Sequence, residues 1–239
     1  MLYRSKLQVF LVKRLNISNK GAQQLILSGV VLVNGESVDE NIVIQTSDEI
    51  SCRGEVLQKK KTFYYIALYK PRGIETTLNK EVEDNLLTVF QFDEYVYYVG
   101  RLDKYSEGLL LLTNDGKLSN KISSPRFEHE KEYEVEVDKT IVPAFLEGLK
   151  NGLFIKGRKT KPVLVHQMNE TCFNITLTEG MNRQIRRMCS AQAYEVKTLK
   201  RIRIMNIVLN ELKPGEYRFL NEEEKQGLIG QATKQSGNS

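Results

Sequence analysis

The spacing of hydrophobic and polar residues changes several times along the chain, and each change predicts an element. Apolar residues recur every three or four positions in segments 7–17 and 22–27, which predicts two short amphipathic helices. The apolar run 30–33 predicts a strand, and the Asn34-Gly35 dipeptide after it is a favoured sequence for a two-residue hairpin turn. The chain is therefore expected to begin with two helices that lead into a hairpin.

A basic, polar stretch separates this segment from the rest. Segment 37–44 is the expected return strand of the hairpin, and a further short strand is expected near Ile50. Segment 58–61, Gln-Lys-Lys-Lys, has no hydrophobic residue to bury, so we place a hinge there. The predicted domains are a small module over residues 1–58 and a larger domain over residues 62–230.

The larger domain is predicted to consist mainly of strands. Aromatic, β-branched or alternating apolar runs predict strands at 62–69, 95–99, 109–113, 128–137, within 161–178 and at 195–209. Capping residues and apolar spacing predict short helices at 84–90, 117–122, 143–150, 182–192 and 222–229. The polar end of the chain, residues 231–239, is predicted to be disordered.

A charged loop between two predicted strands carries the first candidate for chemistry. Asp103 lies in segment 100–116, with Arg101 and Lys104 beside it to hold an anion and glycines that allow close approach of the backbone. An aspartate near glycine is also a common turn residue. The segment resembles the motif GRLDxxSxGLLLLTNDG of pseudouridine synthases of the RsuA/RluF type, and this resemblance implies that Asp103 is catalytic.

Two other segments resemble motifs of the same family. Residues 70–73, Lys-Pro-Arg-Gly, match its KPxG turn, and segment 128–137 resembles its second motif. In that motif the tyrosine lies against the target base; here it is Tyr133, and Lys131 is the lysine before it. The alternating pattern of the segment is also explained if Tyr133 is simply a core aromatic residue.

A predicted helix carries several arginines that share one side. Segment 182–189 has Asn182 as the expected N-cap, followed by Arg183, Arg186 and Arg187. Arginines in this pattern also occur on solvated helix faces. The segment resembles the third motif of the family, which implies that Arg186 pairs with the catalytic Asp103. The other two arginines are expected to contact RNA phosphates.

The N-terminal module resembles the S4 RNA-binding module, because its two helices lead into a Val-Asn-Gly hairpin. S4 modules usually carry a pair of arginines where the second helix begins, whereas this chain has Ser-Asn-Lys-Gly at 18–21. Lys13, Arg14 and Lys20 are the expected phosphate contacts. The alternative is that they only solvate two small helices.

The positive charge is concentrated in one segment. The whole chain carries +5, whereas residues 181–206 hold seven Lys/Arg and one acid, a local charge of +6. A patch of this kind suits a polyanion. Arg201 and Arg203 alternate with isoleucines there and are expected to contact RNA phosphates, as is Arg101 beside the candidate aspartate.

Other features narrow the class of protein. The 3 cysteines form no CxxC pair, and no pair of histidines has ligand spacing, so we expect free thiols and no metal or cofactor. No apolar run approaches the ~20 residues of a membrane span. These features predict a cytoplasmic protein that does not engage a membrane, and nothing in the sequence demands more than a monomer.

The resemblance spans nearly the whole chain and implies both fold and activity. The implied fold is α+β, a small S4-type module followed by a larger, mixed, mostly antiparallel β-sheet catalytic domain with flanking helices. The implied activity is isomerisation of a uridine in RNA, in 23S ribosomal RNA with transfer RNA as a further substrate, without a cofactor. The alternatives are an inactive RNA-binding assembly factor of the same fold and a glycosidase using Asp103 with Glu107.

Overall fold

The computed structural model describes residues 4–233, and the chain divides into two compact units between Phe63 and Tyr64, close to the predicted hinge. Part of the tail predicted to be disordered, residues 231–233, belongs to the last helix instead, and residues 234–239 lie outside the described residues. No helix within residues 4–233 combines the length and the apolar character that a bilayer crossing requires.

The N-terminal unit has both predicted helices. Its elements are β1 (Arg4–Lys6), α1 (Leu7–Leu15), α2 (Asn19–Leu27), β2 (Val31–Val33), β3 (Glu36–Ser37), β4 (Val43–Gln45), β5 (Ile50–Cys52) and β6 (Glu55–Gln58). Ser18 caps α2, since its Oγ accepts a hydrogen bond from the Gly21 amide at 3.1 Å. The apolar faces of both helices pack on the strands in one core, which includes Leu7, Leu11, Ala22, Ile26, Val31 and Ile50.

The hairpin in this unit forms as predicted, but its return strand is short. Asn34 (φ 53°) and Gly35 (φ 88°) both adopt left-handed backbone, which a two-residue turn between twisted strands requires. The predicted strand over 37–44 is wrong, because β3 ends at Ser37 and β4 pairs with β1 instead of β2. The polar residues between β3 and β4 lead the chain away from the hairpin, and the Leu7 amide at the start of α1 bonds to the Ile42 carbonyl at 2.9 Å.

Within residues 64–233, the C-terminal unit has one large sheet, a separate two-stranded hairpin formed by its fifth and sixth strands, and four α-helices. Its strands are β7 (Tyr65–Lys70), β8 (Tyr97–Val99), β9 (Glu107–Thr113), β10 (Lys131–Val137), β11 (Phe154–Ile155), β12 (Arg158–Lys159), β13 (Leu164–Gln167), β14 (Cys172–Leu177), β15 (Val196–Ile204), β16 (Ile207–Val208) and β17 (Tyr217–Phe219). Its α-helices are α3 (Gly116–Ser123), α4 (Pro143–Asn151), α5 (Gln184–Ser190) and α6 (Glu222–Thr233). The helix predicted at 84–90 is only a short 3₁₀ turn, Leu86–Thr88, capped by Asn85.

The main sheet has nine strands, in the order β13-β14-β10-β15-β9-β7-β17, with β8 on β9 and β16 on β15. Of the neighbours in this sheet described by the structure, β9 and β15 run parallel and all others run antiparallel. The predicted mixed, mostly antiparallel sheet is therefore confirmed. The predicted strand 195–209 folds back at Met205 (φ 52°), which divides it into β15 and β16.

A glycine allows the parallel pair to form. Gly108 in β9 lies opposite Arg201 in β15, and a Cβ at Gly108 would lie 2.3 Å from the Arg201 carbonyl oxygen. Only glycine permits this separation, and its φ of 101° is also in the left-handed region. Because the loop before β9 carries Asp103, this contact places the candidate aspartate beside the backbone of Arg201.

Candidate active site

A cleft of about 480 Å³ opens where loop 100–106 meets strands β10 and β15. The sheet contributes Lys131 and Tyr133 from β10 and Arg201 from β15, and the segment that leads into α5 closes another side. The residues predicted to be functional that line this cleft are Arg101, Asp103, Lys131, Tyr133, Arg183 and Arg201. Residues far apart in the chain are thus gathered at one site by the sheet.

Backbone contacts on both sides of Asp103 hold its loop in place. Thr76 is buried, and its Oγ1 donates to the Leu102 carbonyl at 2.7 Å and accepts from the Leu102 amide at 3.1 Å. On the other side, the Ser106 amide donates to the Asp103 carbonyl at 3.0 Å, and the Gly73 amide donates to the Lys104 carbonyl at 2.8 Å. The partly buried carboxylate of Asp103 is therefore presented to the cleft from a loop with little freedom.

Lys70 is a buried cation beneath this loop. Its side chain is fully buried, and Nζ donates to the carbonyls of Pro71 at 2.8 Å, Ile74 at 2.7 Å and Lys104 at 3.4 Å. Burial lowers the pKa of Lys70 to about 8. Because all three of its donors are engaged, Lys70 joins the KPxG turn to the aspartate loop and has none left for a ligand.

Tyr133 and Lys131 project from β10 into the cleft. The Tyr133 ring is partly buried and packs against the core on one side while it lines the cleft on the other. Lys131 Nζ donates to the His129 carbonyl at 2.9 Å. Burial, with the charge of Arg201 adding to it, lowers the pKa of Lys131 to about 8. Tyr133 therefore packs on the core, as the structural interpretation predicts, and its contact with a target base stays a prediction.

Arg201 differs from the prediction, because it lies in the floor of the cleft and not on an exposed sheet face. It is 2% exposed, its Nε donates to the Leu109 carbonyl at 2.7 Å, and its Nη1 donates to the Arg101 carbonyl at 3.4 Å. Its Nη2 and the Oγ of Ser106 are both buried without a hydrogen-bond partner among residues 4–233. The cleft therefore contains two unpartnered polar groups, and one of them is cationic.

Arg203, the other arginine of β15 predicted to contact phosphate, has acidic partners. Its Nε donates to Glu132 at 2.8 Å and its Nη2 to Glu130 at 3.1 Å. Glu132 lies opposite Arg203 on β10 and Glu130 directly precedes that strand, so these carboxylates compete with phosphate, and contact of Arg203 with RNA stays a prediction. Lys104 is likewise engaged, with Asp84 at 2.9 Å. The cationic surface of the site is consequently smaller than the sequence suggested.

Arg186 supports the aspartate loop without touching the carboxylate. Its Nη1 donates to the Val196 carbonyl and its Nη2 to the Tyr105 carbonyl, each at 2.9 Å. Within the described part of the chain, Asp103 and Arg186 do not form the predicted ion pair. Burial and neighbouring Arg183 lower the pKa of Arg186, while the charge of Asp103 opposes this, so the two groups still interact through space.

The turn into α5 explains where the remaining arginines lie. The Gln184 side chain accepts from the Met181 amide at 3.0 Å and donates to Glu179 at 2.7 Å, which closes the turn before the helix. Consequently Arg183, in left-handed backbone, takes the N-cap position predicted for Asn182. Its side chain is exposed at the cleft rim, whereas the Nε of Arg187 donates to the Asn182 carbonyl at 3.1 Å.

Several residues that shape the site were not identified from the sequence as functional. Lys70, Thr76, Ser106 and Gln184 act through buried contacts; Lys70, Ser106 and Gln184 lie within the family motifs, and Thr76 lies outside them and had no recognisable signal. Glu107, the second carboxylate of the glycosidase alternative, accepts from the Tyr69 hydroxyl at 3.1 Å and is not among the residues that line the cleft. Lys13, Arg14 and Lys20 are exposed on the N-terminal unit.

Comparisons with known proteins agree with this architecture. Residues 64–191 match the family model described as RNA pseudouridylate synthase, and residues 5–50 match the S4 domain. The chain is 40% identical over 209 residues to the dual-specificity RNA pseudouridine synthase RluF of Escherichia coli strain K12, covering 87% of this chain and 72% of the relative. It is 34% identical to the ribosomal large subunit pseudouridine synthase B of Bacillus subtilis strain 168, covering 88% of this chain and 90% of the relative.

A solved structure of a pseudouridylate synthase has the same fold. It matches with a TM-score of 0.66 at 30% identity and covers 93% of this chain and 99% of its own. The resemblance predicted from the motifs is thereby confirmed. With a family model that spans more than half of the chain and a relative that is 40% identical over 87% of it, the chain belongs to the RNA pseudouridylate synthase family and is an RNA-modifying isomerase with an N-terminal S4 domain.

Proposed function

We propose that the enzyme converts one specific uridine of 23S ribosomal RNA to pseudouridine, with a transfer-RNA uridine as a second substrate. The names of the relatives support this proposal, since one is a dual-specificity RNA enzyme and another acts on the large ribosomal subunit. The observation that carries the chemistry is that Asp103 and Tyr133 line one cleft together with unpartnered donor groups. An enzyme of ribosomal and transfer RNA that carries free thiols works in the cytoplasm, and we propose that it does so as a monomer.

The reaction needs a carboxylate but no external energy. The bond between ribose C1′ and uracil N1 breaks, the ring turns, and a bond forms between C1′ and C5. N1 gains a proton and C5 loses one, so the conversion is balanced without an oxidant or a reductant. Asp103 is the proposed catalytic group, by attack on the sugar, by attack on the base, or by removal of a ribose proton. All three routes need an ionised carboxylate held close to the nucleotide.

Tyr133 is the proposed surface for the target base. A uridine inside folded RNA is not accessible to Asp103, so it must leave its stack at a cost of a few kcal/mol. The Tyr133 ring faces the same cleft and offers a flat surface that compensates part of this cost by stacking. Because any base has a flat face, Tyr133 contributes affinity and position rather than selection of uracil.

Arg201, Ser106 and Lys131 are the proposed polar contacts to the target nucleotide. The unpartnered Nη2 of Arg201 and Oγ of Ser106 are buried in the wall of the cleft, where uracil or ribose oxygens would satisfy them. A buried donor that gains a partner only when substrate enters favours the bound state, since it otherwise remains unsatisfied. Arg186 is proposed as a positioning residue, which acts on Asp103 through the Tyr105 carbonyl.

Phosphate contacts are proposed at the rim of the cleft and on the S4 domain. Arg101 and Arg183 are exposed at the rim, and Arg187 lies nearby on α5. Lys13, Arg14 and Lys20 are the exposed cations of the S4 domain that we propose to contact phosphates. Such contacts fix where RNA lies without reading its sequence. Selection of the target uridine then depends on RNA shape and on the docking of the S4 domain.

The test compares the wild type with Asp103→Asn on 23S ribosomal RNA and on transfer RNA, with pseudouridine mapped at nucleotide resolution. We expect the wild type to modify a single uridine in each RNA, and the variant to bind equally well without forming product. Equal product from both proteins would refute the role of Asp103. No product from the wild type on either RNA would favour the inactive assembly factor, and release of free uracil would favour a glycosidase.

A further inference from the structure

A small basic hairpin stands beside the cleft in a segment that none of the motifs includes. Residues 151–169 contain four Lys/Arg and no acid. Within them β11 and β12 pair through Phe154↔Lys159 and Ile155↔Arg158. The two turn residues, Lys156 (φ 50°) and Gly157 (φ 77°), are both left-handed, as a tight two-residue turn requires. The hairpin therefore presents its cations on a compact, well-defined turn.

The base of the hairpin is anchored, which forces one aromatic ring outward. Ile155 is 6% exposed and belongs to the core, and the backbone amide and carbonyl of Leu153 bond to Thr160 at 3.0 Å each. Since neighbouring residues of a strand point to opposite faces, Phe154 points away from the core and is 74% exposed. Its cross-strand neighbour on that face is Lys159.

An ion pair joins the hairpin to the wall of the cleft. Arg158 lies on the same face as Ile155, and its Nη2 donates to Glu179 Oε2 at 2.9 Å. Its Nε also contacts the Met181 sulfur at 3.1 Å. Glu179 and Met181 both line the cleft. Phe154, Lys156 and Lys159 of the hairpin therefore lie at the edge of the active site.

We propose that this hairpin is a second RNA contact, in which Phe154 stacks on an unpaired base near the target uridine while Lys156 and Lys159 contact the adjoining phosphates. This inference rests on the proposed function and narrows the substrate to a uridine with single-stranded neighbours. A flat ring flanked by exposed cations matches a single strand, whose bases stack on aromatics without regard to sequence. The same charge disfavours a basic or purely apolar protein partner.

The test measures binding of a fluorescent eight-nucleotide oligouridylate and, in parallel, of a blunt RNA duplex. Phe154→Ala should weaken oligouridylate binding roughly 5- to 150-fold, because one base stack is lost, while duplex binding changes less than about twofold. Phe154→Tyr should restore binding, since it keeps the ring. Lys156→Ala with Lys159→Ala should make the salt dependence shallower by about 1.4 in log–log slope, the effect of two single-strand phosphate contacts.

Matched controls come from other exposed residues of the same unit. Tyr95→Ala removes a ring that is 77% exposed, and Lys213→Ala removes an exposed lysine; both should leave oligouridylate binding unchanged. Thermal unfolding checks that each variant is folded. Wild-type affinity in Phe154→Ala, or equal loss in Tyr95→Ala, would overturn the proposal. A wild type that is a dimer in solution, with Phe154→Ala a monomer, would also overturn the proposal, in favour of a protein contact at this ring.

The outcome can be separated from that of the proposed function. Oligouridylate binding involves no turnover, so loss of binding in Phe154→Ala supports the hairpin even if the wild type makes no pseudouridine. With an active enzyme, Phe154→Ala should raise KM for ribosomal RNA and leave kcat unchanged, because the ring does not touch the reacting atoms. A fall in kcat with KM unchanged would contradict the assigned role.

Discussion

Replacing Gly108 with alanine tests the contact that places the aspartate loop beside Arg201. The new Cβ would lie 2.3 Å from the Arg201 carbonyl oxygen and 2.7 Å from its nitrogen, both backbone atoms that cannot rotate away. Ordinary contact begins near 3.4 Å, so β9 and β15 must separate by 3.4 − 2.3 = 1.1 Å. The sheet must therefore open at the parallel pair.

The expected loss of stability has two sources. Overpacking of this kind costs about 1–3 kcal/mol, and alanine at a φ of 101° adds about 1–3 kcal/mol of backbone strain. The sum, roughly 2–6 kcal/mol, is a large part of the 5–15 kcal/mol that holds a typical domain folded. In molecules that still fold, a shift of about 1 Å in the floor of the cleft should lower kcat/KM on the order of 100-fold.

Gly215→Ala provides the matched control. Gly215 has a comparable φ of 88°, but a Cβ there meets nothing within 4 Å, so this variant carries the strain without the clash. Urea unfolding and the rate of pseudouridine formation should be measured for both variants. We expect Gly108→Ala to lose about 1–3 kcal/mol more than Gly215→Ala and to lose activity, which the control keeps. Equal unfolding midpoints and equal rates would refute the argument.

Two further predictions concern the charged groups of the site. Arg186→Ala should lower kcat with little change in RNA affinity, because it releases the Tyr105 carbonyl and with it the aspartate loop. Arg183→Ala should instead weaken RNA binding and reduce the slope of log affinity against log salt concentration by about one. Unchanged turnover in Arg186→Ala would contradict its positioning role. Burial lowers the pKa of Lys131 from 10.5 to about 8, so in that interval the unfolded chain binds more protons and the folded state gains stability as pH rises. Lys131→Met removes this dependence. Urea unfolding at pH 8 and pH 10 should therefore show the free energy of unfolding of the wild type rising relative to that of the variant. The same difference in free energy at both pH values would exclude the lowered pKa.

The sequence supported the elements and the family because those depend on local pattern. Periodicity located α1, α2, β9 and β10, and the Asn34-Gly35 turn followed from the backbone preferences of its residues. The predictions failed where specific side-chain or strand contacts outweighed the local pattern. Gln184 closes a turn through Glu179 and so delays the start of α5, and β4 leaves the hairpin to pair with β1.

The groups available for the chemistry could be read from the amino-acid order: one aspartate in a distinctive loop, a tyrosine on an alternating strand, and a segment rich in arginine. The role of each arginine depends on the folded chain, since Arg201 is buried in the cleft, Arg203 is held by two glutamates, and Arg186 supports the loop through a carbonyl. The physical reason is that the free energy of a charge depends on its burial and its neighbours, and strands distant in sequence supply both.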